Sequence, residues 1–390
     1  MASVTKREGR ANPWQVRYRD PAGKSKSRQF ARKIDAERFL TSVQHSLLAG
    51  DYIDPADRTT FQEYAEGWRA AQVHRDSSAA VVERHLRLRA YPAFGSRPLR
   101  SIRPSEIQAW VKALSVTLAP ATVAVAHGVV AAVFKAAIRD RLIASSPCEG
   151  SKLPEDHQEP VVPLETAQVL ALEVALPPRF RALVPLGAAA GPRISEATGL
   201  TVDRSGLMPP STRPSMRIDR QLVVPDRGEP YLGPPKRKAS RRAIPLPRVA
   251  VEALAAHLAA FPPKPRTMTC LDEAGRTWTE TVELMFTTED GEPIRRNALS
   301  RVWRPAVDAA GLPAGTTYHD LRHYYASLLI RHAESVKTVQ ARLGHATAVE
   351  TLDTYAHLWP DSEDRTREAV DSVFGAAVSS RAPAVHQDSG

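Results

Sequence analysis

The chain has 390 residues, 43% of them hydrophobic, with a formal net charge of +10 and a pI of about 9.7. That length predicts two or three domains with real cores, and the basic balance favours a polyanionic partner, nucleic acid before membrane. Two cysteines without metal-type spacing, Cys148 and Cys270, argue against a zinc site or a disulfide framework, and with a charged N-terminus and no apolar run of membrane-spanning length they predict a soluble cytoplasmic protein.

Charge concentrates at the start. Residues 1–38 hold eleven Lys and Arg against four Asp and Glu. Trp14, Val16 and Tyr18 alternate with Gln15, Arg17 and Arg19, which predicts a half-exposed strand. Asp20 to Gly23 is a turn signal, Lys24 to Phe30 the return strand, and Ile34 to Leu48 a helix. The expected exposed face carries Arg17, Arg19, Lys24, Lys26 and Arg28, a small basic sheet suited to lie against DNA.

Residues 58–150 read as a helical domain. Thr60 and Glu63 form a capping-box pattern before Tyr64 and Trp68. A second helix opens at Pro104, with Ile107, Trp110, Val111 and Leu114 on its buried face. A third opens at Pro120, with Val125, Val129, Val130, Val133, Phe134 and Ile138 at helical spacing. These stripes are core. Residues 151–160 are a linker within the aperiodic, proline-bearing stretch Pro147 to Pro160.

Residues 161–376 form the last domain, with helices expected at 165–176, 179–190, 193–200, 296–311, 320–332 and 336–343. The run from Pro234 to Pro247 is a basic turn entering a strand, and Thr287 to Pro293 is another turn. The stretches 204–216 and 262–281 read as irregular loops. A short helix near Thr366 to Phe374 carries Val370, Val373 and Phe374 on one face, suited to a neighbouring protomer or to its own domain. The tail 377–390 is expected to be disordered. The fold class is α+β, mainly helical and multidomain.

The chemistry gathers late in the chain: Gly191 to Glu196 (G-P-R-I-S-E), Tyr318 to His323 (Y-H-D-L-R-H), Leu343 to Thr347 (L-G-H-A-T) and Thr354 to Leu358 (T-Y-A-H-L). Transesterification at a phosphodiester passes through five-coordinate phosphorus with extra charge on the non-bridging oxygens. Two guanidiniums, Arg193 and Arg322, suit that charge because each is a planar fork of donors. His319 and Arg322, three apart, share a helix face, and His319 can take or share a hydroxyl proton. His345 follows a Leu-Gly break. Tyr355 is the candidate nucleophile; its phenol is neutral at pH 7 and needs an acceptor and cations. Lys236 is the candidate proton donor to the leaving oxygen, with Lys238 as a fallback. Arg237, Lys238, Arg241 and Arg242 are candidate DNA contacts. Each residue alone also fits a surface or packing role; the ordered set carries the reading.

In that order the boxes resemble the tyrosine recombinases, in particular the phage-type integrases of actinobacteria and their phages. G-P-R-I-S-E-A-T-G-L is similar to the first box, with Glu196 supporting Arg193; P-P-K-R-K-A-S-R-R to the hairpin of the catalytic Lys; H-D-L-R-H-Y-Y-A to the second box; and D-T-Y-A-H-L to the nucleophile segment. Arg237 stands where Thr usually follows the Lys. The segment 58–150 resembles the core-binding domain, and residues 1–55 the arm-type DNA-binding domain. The resemblance implies four protomers on two DNA attachment sites and a 3′-phosphotyrosyl link. It also implies a four-way junction, no metal, ATP or other cofactor, and as partners a directionality factor and a DNA-bending protein. The weighed alternatives are a conjugative-transposon integrase, a type IB topoisomerase and a non-catalytic DNA-binding relic.

Overall fold

The computed structural model describes residues 2–21, 23–50, 52–73, 76–156, 160–208, 211–225, 228–359, 367–368 and 370–374. The tail 377–390, Ala22 of the first turn, residues 157–159 of the linker, and Pro209 and Pro210 of an expected loop lie outside these. The chain divides into two compact units, residues 1–158 and 159–390.

The first unit holds two separate cores. A three-stranded antiparallel sheet, β1 (Ser3–Lys6), β2 (Trp14–Arg19) and β3 (Ser25–Phe30), packs on α1 (Lys33–Ala49) around Val16, Tyr18, Ala36 and Val43. Strand β1 was not expected from the sequence. The register also corrects the basic face. Val16 pairs with Arg28 and Tyr18 with Lys26, so these cations lie on the same face as the core residues. Lys26 ion-pairs with Asp54, and the Arg28 guanidinium lies over the Phe30 and Phe39 rings at 5.4 and 5.0 Å. The opposite, exposed face keeps Arg17 and Arg19 beside Ser27 and Ser25. Lys24 precedes β3, and its backbone N–H donates to Asp20 Oδ1 at 2.8 Å.

The second core is helical: α2 (Phe61–Ala71), α3 (Asp76–His85), a wider helical turn (Leu86–Ala90) leading into α4 (Tyr91–Phe94), α5 (Pro104–Ser115) and α6 (Pro120–Arg139). The Glu63 carboxylate accepts the Thr60 N–H at 2.9 Å, which starts α2 as its sequence predicts. In α6 the buried face is Val123, Ala126, Val130, Val133 and Phe134; Val125, expected inside, is 46% exposed because it falls off that stripe. Helix α6 is long and apolar enough to cross a bilayer by length and composition, contrary to the sequence reading. Here that apolarity serves packing around Phe61, Phe94 and Ile107.

The second unit is built from α7 (Thr166–Ala175), α8 (Pro178–Arg181), α9 (Leu183–Ala190), α10 (Ile194–Thr198), α11 (Arg248–Ala260), α12 (Arg296–Ala309), α13 (Tyr318–Arg331), α14 (Val336–Leu343) and α15 (Ala348–Tyr355). Two small sheets sit beside them: β4 (Ser215–Ile218) with β7 (Arg242–Pro245), and a four-stranded sheet ordered β5 (Gln221–Val223), β6 (Tyr231–Gly233), β8 (Pro265–Leu271), β9 (Thr277–Glu283). Strands β8 and β9 occupy most of 262–281, and β4 begins inside 204–216, so neither stretch is merely a loop. Their alternation of Thr with apolar residues is a strand signal that charged neighbours obscure. Thr317 starts α13 at Tyr318, two residues before the expected start, because Asp320 accepts its N–H at 2.7 Å. Val370, Val373 and Phe374 are all more than half exposed.

Helix α9 passes through this core, its buried Leu183 and Leu186 in one cluster with Leu321 of α13 and its Gly187 close against the Leu321 side chain. It ends at Gly191, whose φ is +62° and where an added Cβ would sit 2.4 Å from the Tyr325 ring. Both the left-handed backbone and the close ring demand glycine. Gly191→Ala is therefore expected to destabilise this unit by about 1–3 kcal/mol. Urea unfolding followed at the Tyr and Trp signals should show a lower midpoint, whereas an unchanged midpoint would mean the turn relaxes freely.

Candidate active site

The loop after Gly191 begins α10, and its second residue is Arg193. Glu196, three residues on, accepts the Arg193 N–H at 2.9 Å and so caps the helix. The same carboxylate is 2% exposed and faces two guanidiniums. Arg242 of β7 donates to both of its oxygens, at 3.2 and 2.8 Å, and Arg193 Nη1 donates at 3.2 Å. Burial alone would raise the Glu196 pKa; the hydrogen bonds and charges of Arg242, with Arg193, bring it below the ordinary value.

Arg242 was expected to contact DNA. Its side chain is 5% exposed, and it also donates to the Arg342 and Ser240 carbonyls at 2.7 and 2.8 Å. It joins β7 to α10 and α14 and is not available to a surface ligand. Arg237 and Arg241 remain exposed but are paired, with Glu350 and Glu273 respectively, both at 3.2 Å. Lys236 and Lys238 are exposed on the turn between β6 and β7. No hydrogen bond among the described residues ties Lys236 to the arginines; the turn reaches Arg193 through Ser240, whose Oγ lies 3.4 Å from Arg193 Nη1.

Arg322 is fully buried and donates to the Gly191 carbonyl at 2.7 Å and the Leu343 carbonyl at 2.6 Å. Burial and the neighbouring Arg193 and Arg242 lower its pKa to about 9, which still leaves it charged at neutral pH. Gly344, at φ +68°, ends α14, and His345 enters behind it. The His345 ring pairs through Nδ1 with Thr351 Oγ1 at 2.9 Å and lies parallel to the Tyr355 ring, with centroids 6.5 Å apart. Burial, then the Arg322 charge, lowers the His345 pKa to about 4.

Tyr355 closes α15, a helix the sequence reading did not include, capped at Thr347 by an Oγ1 that accepts the Glu350 N–H at 3.2 Å. Its ring is 1% exposed, and burial pushes its pKa up to about 12 against the opposing pull of Arg322. The phenol oxygen lies 2.8 Å from His323 Nδ1. His319 stands one ring further out, its centroid 4.7 Å from that of His323, and is exposed at the mouth of the site. Partial desolvation, His323 and Arg322 lower its pKa. His319 also borders a cleft of about 950 Å³ walled by Ile194, Leu222, Leu299, Trp303 and Tyr318.

The structure thus joins Arg193, Glu196, Arg322, His345 and Tyr355 through direct contacts or shared backbone, with His319 at their edge. It adds His323, Arg242, Ser240 and Thr351, which sequence reasoning did not place at the site. Only His323 had a legible signal, its i+4 spacing from His319. Among the described residues no group of three or more His, Cys, Asp or Glu side chains is placed to hold a metal.

Guanidiniums gathered around a tyrosine, on a mostly helical unit with small sheets, form a site able to hold an anionic group beside a phenol. Residues 164–361 match the phage integrase family and residues 61–152 the phage integrase central domain. The chain belongs to the phage integrase family, the tyrosine recombinases, which act in site-specific DNA recombination. Among similar proteins, the prophage phiRv2 integrase of Mycobacterium tuberculosis is 26% identical over 362 residues, covering 90% of each chain. The integrase of Mycobacterium phage L5 is 25% identical over 359 residues, covering 88% of this chain and 90% of its own. The Tn1549 transposon integrase in complex with transposon right end DNA superposes with a TM-score of 0.65 at 21% identity, over 81% of this chain and 100% of its own. A lambda integrase dimer bound to a core site gives 0.59 at 17% identity, over 93% and 95%.

The buried Glu196 is the group most exposed to a simple test. Its folded pKa is lowered, so its contribution to stability is present above the ordinary Glu range and is lost as pH falls through the folded value. Glu196→Gln should cost about 3–5 kcal/mol near pH 7, because Arg242 is left buried without its anion. The gap from the parent should narrow as pH drops below about 4. Urea titrations across pH 3–7 measure this; a gap independent of pH would contradict it.

Proposed function

We propose that this chain is a phage-type integrase that joins two DNA attachment sites, with Tyr355 as nucleophile. The observation that carries the reading is the seating of one phenol beside the buried Arg322, in a cluster where Arg193, Arg242 and Arg322 outnumber the Glu196 carboxylate. That surplus positive charge suits the phosphorane developed in transesterification. Tyr355 Oη attacks the scissile phosphorus, the phosphotyrosyl bond forms at the 3′ side, and the 5′ oxygen leaves. Arg193 and Arg322 hold the non-bridging oxygens. His319, exposed at the mouth, and His345 border the same phosphate. Lys236 on its exposed turn supplies the proton to the leaving oxygen. The 5′-hydroxyl of the partner duplex then reverses the step, so the ester conserves bond energy between strands.

Residues 1–55 serve as the arm-type DNA-binding domain, residues 58–150 as the core-binding domain and residues 161–376 as the catalytic domain, with residues 151–160 between the last two. Four protomers assemble on DNA in the cytoplasm, through a four-way junction. A directionality factor and a DNA-bending protein complete the assembly.

Tyr355→Phe is expected to abolish the covalent protein–DNA species on a nicked attachment-site duplex while leaving binding within a few-fold. An adduct formed by the Phe variant, seen as a slower band on a denaturing gel, would mean the nucleophile is another residue.

For the arm, Arg17 and Arg19 stand exposed on the sheet face opposite the core, Arg19 also donating to the Gly23 carbonyl at 3.3 Å. Replacing both with Gln should weaken binding to flanking repeats and flatten the dependence of log K on log salt by about 1–2 units of slope, while Tm stays constant. An unchanged slope in a filter-binding series would remove this face from the DNA interface.

A further inference from the structure

We propose that His323, and not His319, is the base that takes the proton from Tyr355. The inference rests on the reading of Tyr355 as nucleophile and assigns its partner.

The phenol oxygen lies 2.8 Å from His323 Nδ1, and no other hydrogen-bond partner of that oxygen occurs among the described residues. Tyr355 is 1% exposed, so a phenol proton aimed elsewhere would have neither water nor a protein acceptor. Leaving a buried donor unpaired is costly. The arrangement that satisfies the phenol therefore has Tyr355 donating to an unprotonated Nδ1, with the imidazole in its Nε2–H form. Burial lowers the His323 pKa, which keeps the ring neutral and able to accept near pH 7.

His319 is less suited to that task. It is exposed, one ring farther from the phenol, and adjacent to open space where a phosphate can reach it. His345 lies parallel to the Tyr355 ring with centroids 6.5 Å apart and spends its Nδ1 on Thr351, and it makes no hydrogen bond to the phenol oxygen among the described residues. His323 is carried on α13 together with Arg322, one residue away. A single rigid helix thus holds the cation for the phosphate and the acceptor for the phenol.

The proton balance is closed. As Oη bonds to phosphorus, its proton passes to His323 Nδ1, giving an imidazolium, and the 5′ oxygen departs with a proton from the general acid. In the reverse step the 5′-hydroxyl attacks, the phenolate leaves, and His323 returns its proton to Oη. The charged groups near His323 are Asp320, Arg322 and His319 on its own helix, with Tyr355 facing it from α15. Asp320 raises its pKa, and Arg322 with burial lowers it.

The test uses the full chain on a suicide duplex, with single-turnover formation of the covalent species measured from pH 5 to 9.5. His323→Asn keeps an oxygen acceptor near the Nδ1 position but cannot hold a proton. It should cut the cleavage rate about 10²–10³-fold, leave DNA affinity within a few-fold, and remove the acid limb of the pH profile. The rate of the variant should instead climb with pH toward the phenol's own ionisation. A fluorinated tyrosine at position 355, with a more acidic phenol, should recover much of the loss in His323→Asn while changing the parent little. His319→Asn should retain the acid limb. If His323→Asn cleaves within about three-fold of the parent with the same pH profile, the inference fails and Tyr355 keeps its role. It fails equally if the fluorinated tyrosine gives no selective recovery. Failure of the parent itself to form the adduct would overturn the nucleophile reading on which the inference rests.

Discussion

The site depends on one buried carboxylate. Glu196 is out of solvent and would be destabilising if unpaired, but Arg242 clasps it with both arms of its fork and Arg193 adds a third contact. Because Arg242 also reaches the Arg342 carbonyl, the pair fixes β7, α10 and the end of α14 to one another. Arg322 completes the frame through the Gly191 and Leu343 carbonyls, the two chain segments that turn at left-handed glycines. The guanidiniums are thus positioned by backbone and by one anion, which is what the proposed preorganised stabilisation of a charged transition state requires.

The division of labour among the arginines follows from accessibility. Arg242 spends its whole fork on protein and is structural. Arg193, with a third of its side chain exposed, keeps donors free. Arg322 is buried, yet its charge is felt by Tyr355, His345 and His319. A positive charge placed this way lowers the cost of forming a phenolate and keeps nearby imidazoles neutral.

Much of this was legible in the sequence because it rests on local rules. The Thr60–Glu63 cap, the alternation of Trp14 to Arg19 and the helical spacing of Ile107, Trp110 and Val111 need no tertiary knowledge. The ordered boxes around Arg193, Arg322, His345 and Tyr355 were likewise readable. What failed were statements that depend on register or long-range pairing. Lys26 and Arg28 look alike with Arg17 and Arg19 until the pairing of β2 with β3 puts them on the opposite face. Arg242 sits in a basic run that reads as surface, and only its partner 46 residues earlier reveals a buried role. Strands β8 and β9 were missed because Thr, Glu and Arg mask a weak alternation whose stability comes from each other's pairing. His323 lies within the second box, but nothing local says that a tyrosine 32 residues later will meet it.

The burial of Tyr355 carries a consequence for how the protein treats ordinary chromosomal DNA. A basic chain brushes against countless phosphodiesters for which it has no use. With Tyr355 in its proposed role as nucleophile, a phenol turned inward and capped by the His323 imidazole would leave such passing encounters without a nick. On that proposal, scission would be confined to complexes intimate enough to bring a phosphate and that inward-facing oxygen together.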